Sequence, residues 1–289
     1  MKGRAELLVL AAAVLWGTTG TAQALGQASG SPASVGALRL LIGGGALLAV
    51  AALRKKLPRL SALPFKRTLL AAVFIAAYQL CFFAAVARTG VAVGTIVGIG
   101  SAPIFGGLLG AGLRKEHLGW AWLAATALAV AGCVLMVGVR GSVTVDPLGV
   151  LLAVGAGADY ASFTLVSKGL LERFPPEAVS GLAFSLGALL LLPLLFSADL
   201  SWLGRPQGLL AALHLGLVAT TASYLLFTFG LRQVKVSTAT TLSLAEPLTA
   251  GLLGVLVLGE QLTQVTLAGI VLLFGGLALI TLKPSRRLS

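Results

Sequence analysis

The chain repeats itself. Laid over its own sequence with a displacement of 144 residues, it aligns without a gap over its length of 289. Pro32 falls on Pro176, Gly43 on Gly187, Phe83 on Phe227 and Arg88 on Arg232. Farther along, Pro103 meets Pro247, Gly107 meets Gly251, Gly110 meets Gly254, Glu116 meets Glu260 and Gly132 meets Gly276. Two copies of one unit are therefore expected, residues 1–144 and 145–289.

The unit is apolar. Residues are 57% hydrophobic and only 10% charged, which excludes a water-soluble core. About 20 apolar residues cross a bilayer as a helix. That length yields ten candidate spans: Leu7–Leu25, Val35–Leu53, Thr68–Ala87, Ala92–Leu113, Leu118–Gly138, Pro147–Leu170, Ala178–Phe196, Gly208–Phe229, Val236–Leu258 and Thr263–Leu282. Five fall in each copy. An odd number of spans sends the second copy through the membrane upside down, so the expected fold class is all-α integral membrane, a 5+5 inverted repeat. Secondary transporters are often built this way. The apolar runs are continuous rather than alternating, which argues against a β-barrel.

Orientation follows from Lys and Arg. Of 21 such residues, Arg88, Arg140 and Arg205 fall on one side and Arg39 within a span; all the others fall on the side holding both termini. Both termini are thus expected in the cytoplasm of a cell whose inner (plasma) membrane holds the chain. The net charge of +12 reports topology and contact with anionic lipid heads, and calls for no nucleic acid. Lys2, Arg4 and Ala22-Gln23-Ala24 imitate a signal peptide, but the segment repeats at Pro147–Leu170 in mid-chain, so it is expected to be retained. Cys81 and Cys133 both lie in apolar spans and read as packing residues.

Polar groups deep in a bilayer are costly and informative. Glu246 lies about 15 Å into its span, just before Pro247. It has three readings: recognition of a substrate ammonium, proton coupling, or a hydrogen-bonded brace for a kinked helix. Asp159 offers the same choice beside Gly155, Gly157 and Ala158, where a structural or gating role is favoured. Arg39, about 9 Å inside the second span, either snorkels outward, clamps the carboxylate of an anionic or zwitterionic substrate, or pairs with Glu246 or Asp159. His214 lacks a ligand cluster and reads as a cavity-lining hydrogen-bonder. Trp16 and Tyr160 occupy equivalent mid-span positions, where rings with polar handles suit a cavity better than lipid; aromatic core filling is the alternative. Tyr78 and Gln79 join them, and Thr95, Ser101, Ser162 and Tyr224 follow with less weight. Pro103 and Pro247 interrupt the fourth and ninth spans, freeing the carbonyls of Ile99 and Ser243. Such kinks either only shape the packing or expose backbone polarity to a cavity at mid-depth; on the second reading the two prolines are the candidate hinges. Most of the 37 glycines read as close helix contacts.

No zinc-hydrolase, nucleophile-elbow or phosphate-loop motif is present, so no cofactor or metal is called for. A membrane enzyme using Asp159 and Glu246 as an acid/base pair is the distant alternative, and a receptor without flux is a third.

Taken together, the motifs resemble the drug/metabolite transporter superfamily, in particular its ten-helix EamA-type members. Leu15-Trp16-Gly17, Ala37-Leu38-Arg39, Ala245-Glu246-Pro247-Leu248-Thr249-Ala250, Leu258-Gly259-Glu260-Gln261-Leu262 and Gly275-Gly276 carry the resemblance across the whole chain. In the first copy Arg114-Lys115-Glu116 keeps the glutamate but not the Leu-Gly before it. Glu116 and Glu260 are therefore expected to act structurally, each facing the N-terminus of the helix that follows. The resemblance implies a central cavity and export of a small-molecule substrate. It extends to the YddG-type amino-acid exporters, so aromatic and hydrophobic amino acids come first, with vitamins, drugs or nucleotide sugars as alternatives. Oligomeric state is not legible; a monomer is compatible with everything above.

Overall fold

The computed structural model describes residues 2–26, 31–59, 62–137, 146–259 and 263–282. Among them there is helix and no strand. In the first copy α1 (Lys2–Gly17) and α2 (Thr19–Leu25) form the first span and α3 (Pro32–Leu53) the second. The single helix α4 (Phe65–Arg114) holds the third and fourth, and α5 (Trp120–Val137) the fifth. In the second copy α6 (Pro147–Leu170) and α7 (Pro176–Phe196) are the sixth and seventh spans. The eighth is α8 (Pro206–Leu213), a π-helix (His214–Ala222) and α9 (Ser223–Leu231) in sequence. The ninth is α10 (Val236–Leu242) with α11 (Ala245–Leu256), and the tenth is α12 (Gln264–Leu282). Eight passages are long and apolar enough to cross a membrane; Trp120–Leu135 and Leu267–Leu282 are shorter apolar helices that complete the ten. Glu260 and the rest of its loop to Leu262 lie outside the described residues, as does Arg140.

Helix starts follow local chemistry. Proline opens α3, α6, α7 and α8, where its missing N–H costs nothing. The Ser31 hydroxyl accepts from the Ser34 N–H at 3.2 Å ahead of α3, and the Asp146 carboxylate accepts from the Leu148 N–H at 2.9 Å ahead of α6. Arg88 donates to Asp146 at 3.1 Å, and this hydrogen bond holds the Asp146 carboxyl below the usual carboxylate range.

α4 is helical throughout yet folds back on itself. A straight helix would separate Phe82 from Gly98 by about 24 Å. Instead a methyl group built on Gly98 would lie 3.5 Å from the Phe82 ring, and one on Gly94 would lie 2.9 Å from the Val86 side chain. The turn falls at residues 87–93, between the third and fourth spans, as the sequence reading has it.

The spans pair according to a pseudo-twofold axis. The second packs on the seventh and the fifth on the tenth. The first lies against the eighth and ninth, while the sixth lies against α4, which carries the third and fourth. Adding five to each member of one pair gives the other. Side chains obey the same operation at the fifth–tenth contact. A methyl on Gly132 would lie 2.5 Å from the Leu273 nitrogen, and one on Gly276 would lie 2.8 Å from that of Ala129. Positions 129 and 273 are 144 residues apart, as are 132 and 276. Small residues let these two backbones touch, which is how helices associate where lipid leaves no hydrophobic driving force.

The basic end is laced together across copies. Arg54 pairs with buried Glu177 at 3.3 Å, and Arg114 pairs with Glu172. Lys168 donates to the carbonyls of Leu231, Arg232 and Val234 at 2.7, 3.0 and 2.9 Å, closing the C-terminus of α9. Glu116 corrects the expectation placed on it. Its carboxylate accepts from the N–H groups of Val236 and Ser237 at 2.7 and 3.1 Å and from the Ser237 hydroxyl at 2.7 Å. It therefore caps α10, in the other copy, rather than the helix that follows it.

Candidate functional site

The site forms where the pseudo-twofold axis passes between α1, α3, α4, α6, the eighth span and the ninth. A small cavity there, about 30 Å³, is lined by Trp16, Arg39, Tyr78, Gly98, Ile99, Ala102, Tyr160, Tyr224, Ser243 and Glu246. Six of these lining positions are three equivalent pairs under the 144-residue displacement: Trp16 with Tyr160, Ile99 with Ser243, and Ala102 with Glu246. The backbone frame is thus symmetric, and the chemistry is not. The first copy supplies an alkyl or methyl group where the second supplies a hydroxyl and a carboxyl group. Arg39 breaks the symmetry the other way, since its equivalent is Ala183.

Aromatic rings form the walls. Trp16 meets Tyr160 edge-on at 6.1 Å between centroids and lies 4.9 Å from Tyr224 and 5.3 Å from Phe227. Tyr78 lies 5.9 Å from Tyr160 and stacks on Phe82 at 5.8 Å. Tyr224 is backed by Phe184 at 4.2 Å. Such ring pairs contribute about 0.5–1.5 kcal/mol each beyond their buried area, so the walls are held firmly. The Tyr160 hydroxyl is 2.7 Å from the Ser243 hydroxyl, and Ser243 donates in turn to the Ala239 carbonyl at 3.0 Å. The Trp16 indole N–H is buried and has no acceptor among the described residues, an arrangement buried donors rarely keep without a purpose.

Arg39 is positioned by the π-helix. Adding a residue to each turn removes the carbonyls from their ordinary partners. Threonines fill part of the gap: Thr220 donates to Leu215 O at 2.8 Å and Thr221 to Gly216 O at 3.0 Å. Arg39 Nε donates to Thr220 Oγ1 at 3.2 Å and its Nη2 to Ala219 O at 3.3 Å. Gly43, one turn on along α3, gives Thr220 room to approach. The guanidinium therefore points inward, and snorkelling is ruled out in this conformation. Arg39 and Glu246 line the same cavity, yet no ion pair joins them among the described residues.

The ninth span is broken at Ser243 and Leu244, between α10 and α11. The proline effect expected there takes a different form. The Ser243 carbonyl is not freed: it accepts from the Glu246 N–H at 3.0 Å, so the tight turn, not the proline, ends the helix. Pro247 follows the break in the first turn of α11, where it is tolerated. Pro103 lies inside α4, which continues through it. Gly17 brings α1 against this break; a methyl there would lie 2.6 Å from the Glu246 carbonyl oxygen.

Of the residues singled out from the sequence, Trp16, Arg39, Tyr78, Tyr160 and Glu246 are gathered at the cavity. Gln79, Ser162 and His214 are not among its lining. Gln79 is buried and donates to the Gly36 carbonyl at 3.5 Å, joining α4 to α3. His214 shares a hydrogen bond of 2.8 Å with the Thr18 hydroxyl, linking the start of the π-helix to the break between α1 and α2. Asp159 is not among the lining of the cavity either. Ser243 was not singled out for its hydroxyl; its place three residues before a membrane-embedded Glu-Pro was the available signal.

Similarity to known proteins agrees with this architecture. The model of the EamA-like transporter family matches twice, at residues 3–138 and 147–282. The chain is 47% identical to the uncharacterized transporter YwfM of Bacillus subtilis over 99% of its own length and 97% of that protein's. It is 32% identical to an uncharacterized transporter of Archaeoglobus fulgidus, covering 81% and 86% of the two chains. Against the uncharacterized inner membrane transporter YicL of Salmonella typhimurium it is 26% identical, covering 97% and 96%. A solved crystal structure superposes with a TM-score of 0.82 over 96% of both chains at 24% identity, which shows the same fold. With both halves matched in turn and full-length transporter relatives, the chain belongs to the EamA-like transporter family of the drug/metabolite transporter superfamily and is a multi-span membrane transporter.

Proposed function

We propose that this transporter exports zwitterionic small metabolites, amino acids with aromatic or hydrophobic side chains first, across the inner (plasma) membrane by alternating access. The observation that carries the reading is the unpaired juxtaposition of Arg39 and Glu246 on one aromatic-walled cavity. An α-amino acid brings a carboxylate, an ammonium group and a side chain. Arg39 and the Trp16 indole N–H, which line the same cavity, supply donors for the first; Glu246 supplies an acceptor for the second. Trp16, Tyr78, Tyr160 and Tyr224 supply faces on which an apolar or aromatic side chain stacks. A guanidinium is suited to a carboxylate because its donors form a planar fork.

The cavity of about 30 Å³ admits about two water molecules and is far smaller than an amino acid. Binding therefore requires the walls to part, and the symmetric frame gives two equivalent ways to do so, one toward each face. The break at Ser243–Leu244 with Pro247 behind it, and Pro103 in the equivalent position, serve as the hinges. The two units, 1–144 and 145–289, rock about them. Both termini face the cytoplasm on the distribution of Lys and Arg.

Uptake of a labelled amino-acid panel into proteoliposomes tests the reading. Saturable flux of at least one aromatic or branched-chain amino acid, competed by its unlabelled form, is expected. Saturable flux confined to anions lacking an ammonium group would remove the amino-acid assignment while leaving the transporter. No saturable flux across a broad panel would contradict it outright.

A further inference from the structure

We propose that the basic end carries a separate site for the phosphodiester headgroup of an anionic glycerophospholipid, between the start of α4 and the end of α6. A cavity of about 410 Å³ opens there, lined among others by Phe65, Lys66, Arg67, Leu170, Arg173 and Phe174. Its volume falls within the range of small-ligand sites, about 300–1,000 Å³. Three cationic side chains line it, and no carboxylate among the described residues does. The scarcity of acid is general in this part of the chain: no Asp or Glu occurs between Glu6 and Glu116. Of the nearby carboxylates, Glu172 is committed to Arg114 and Glu177 to Arg54. Lys66, Arg67 and Arg173 join none of the ion pairs formed among the described residues.

The rest of the lining selects a lipid over a free anion. Phe65 is 57% exposed at the helix start, while Leu170 and Phe174 belong to the packed core or its margin. The cavity thus presents charge beside apolar surface, at the level where two spans leave the bilayer. A phosphodiester fits the cations and its acyl glycerol fits the apolar flank. Basic clusters next to span ends recruit anionic headgroups, each Lys or Arg contributing about 1 kcal/mol. Occupancy ties α4 to α6, the helices that bring Tyr78 and Tyr160 to the transport cavity, so the bound lipid stabilises that pair without entering the substrate path.

Native mass spectrometry of the purified full chain, released from detergent with phosphatidylglycerol or phosphatidylcholine, tests this. Phosphatidylglycerol adducts should persist well beyond phosphatidylcholine adducts. The triple variant Lys66→Gln/Arg67→Gln/Arg173→Gln should weaken phosphatidylglycerol retention by about a hundredfold, by the contribution per cation above. A charge-matched variant whose residues do not line the cavity, Lys55→Gln/Lys56→Gln/Arg59→Gln, should weaken it clearly less. Arg173→Gln alone, an exposed change that leaves helix starts intact, should give an intermediate loss and covers the case of a misfolded triple. Equal retention of the two lipids, or equal losses in the two triple variants, would overturn the site. Full displacement of the lipid by glycerol 3-phosphate would overturn the lipid assignment in favour of a soluble phosphate.

Discussion

Truncating either Arg39 or Glu246 to alanine should sharply raise the apparent KM of saturable transport while leaving a folded protein. Removing one member of a buried, hydrogen-bonded charge contact costs about 2–5 kcal/mol of binding, which is about thirtyfold or more in affinity. The two losses should be distinguishable by substrate. Arg39→Ala should spare whatever residual recognition an amine lacking a carboxylate retains, and Glu246→Ala that of an acid lacking an ammonium group. Arg39→Lys keeps the charge but loses the fork that reaches Thr220 Oγ1 and Ala219 O, so it should rescue only part of the loss. Apparent KM in proteoliposomes and melting temperature in detergent separate binding from bracing. If Arg39→Ala lowered the melting temperature and left KM unchanged, Arg39 would be a strut between α3 and the π-helix and not a substrate contact.

Two adjacent glycines should respond in opposite directions. A methyl on Gly276 would lie 2.6 Å from the Ala125 carbonyl oxygen and 2.8 Å from the Ala129 nitrogen, whereas one on Gly275 would meet nothing within 4 Å. Backbone atoms cannot swing aside as a side-chain tip does, so Gly276→Ala must push α12 away from α5. Overpacking of this kind costs about 1–3 kcal/mol. Gly275→Ala carries only the helix preference of alanine, a gain of about 1 kcal/mol. Gly132→Ala, the equivalent of Gly276→Ala in the other copy, should destabilise with the same sign, because its methyl would meet the Leu273 nitrogen at 2.5 Å. Unfolding in detergent, read by thermal melting, checks all three. Equal stability of the two neighbouring variants would mean that the fifth and tenth spans are not in backbone contact.

Much of the fold was legible because the chain states it twice. The displacement dictates which residues are equivalent, and it pairs Trp16 with Tyr160, whose rings lie 6.1 Å apart. Depth was legible too, since a helix climbs at a fixed rate, and depth is what singled out Arg39 and Glu246. The direction around each helix was not. Gln79 follows Tyr78 by one residue, which turns it about 100° away, so it meets Gly36 on α3 and leaves the cavity to Tyr78. Ser162 lies two residues beyond Tyr160 and is carried off the cavity by the same rotation. The π-helix had no readable signature: Thr220 and Thr221 look like ordinary helix-surface threonines until their hydroxyls are seen reaching back five residues. Glu116 illustrates a further limit. Its position before α5 was correct, but its partner lies in the other copy, and contact across copies cannot be read from nearest neighbours in sequence.

The pairing of spans, the equivalent positions around the cavity and the two-way opening all require that the second five helices run opposite to the first five. Sidedness reporters fused after Gly90 and after Val234, which follow the third and eighth spans, measure this directly. The two reporters should report opposite compartments, with the Val234 fusion on the side of both termini. Finding both in one compartment would contradict the inverted repeat and every conclusion drawn from its axis.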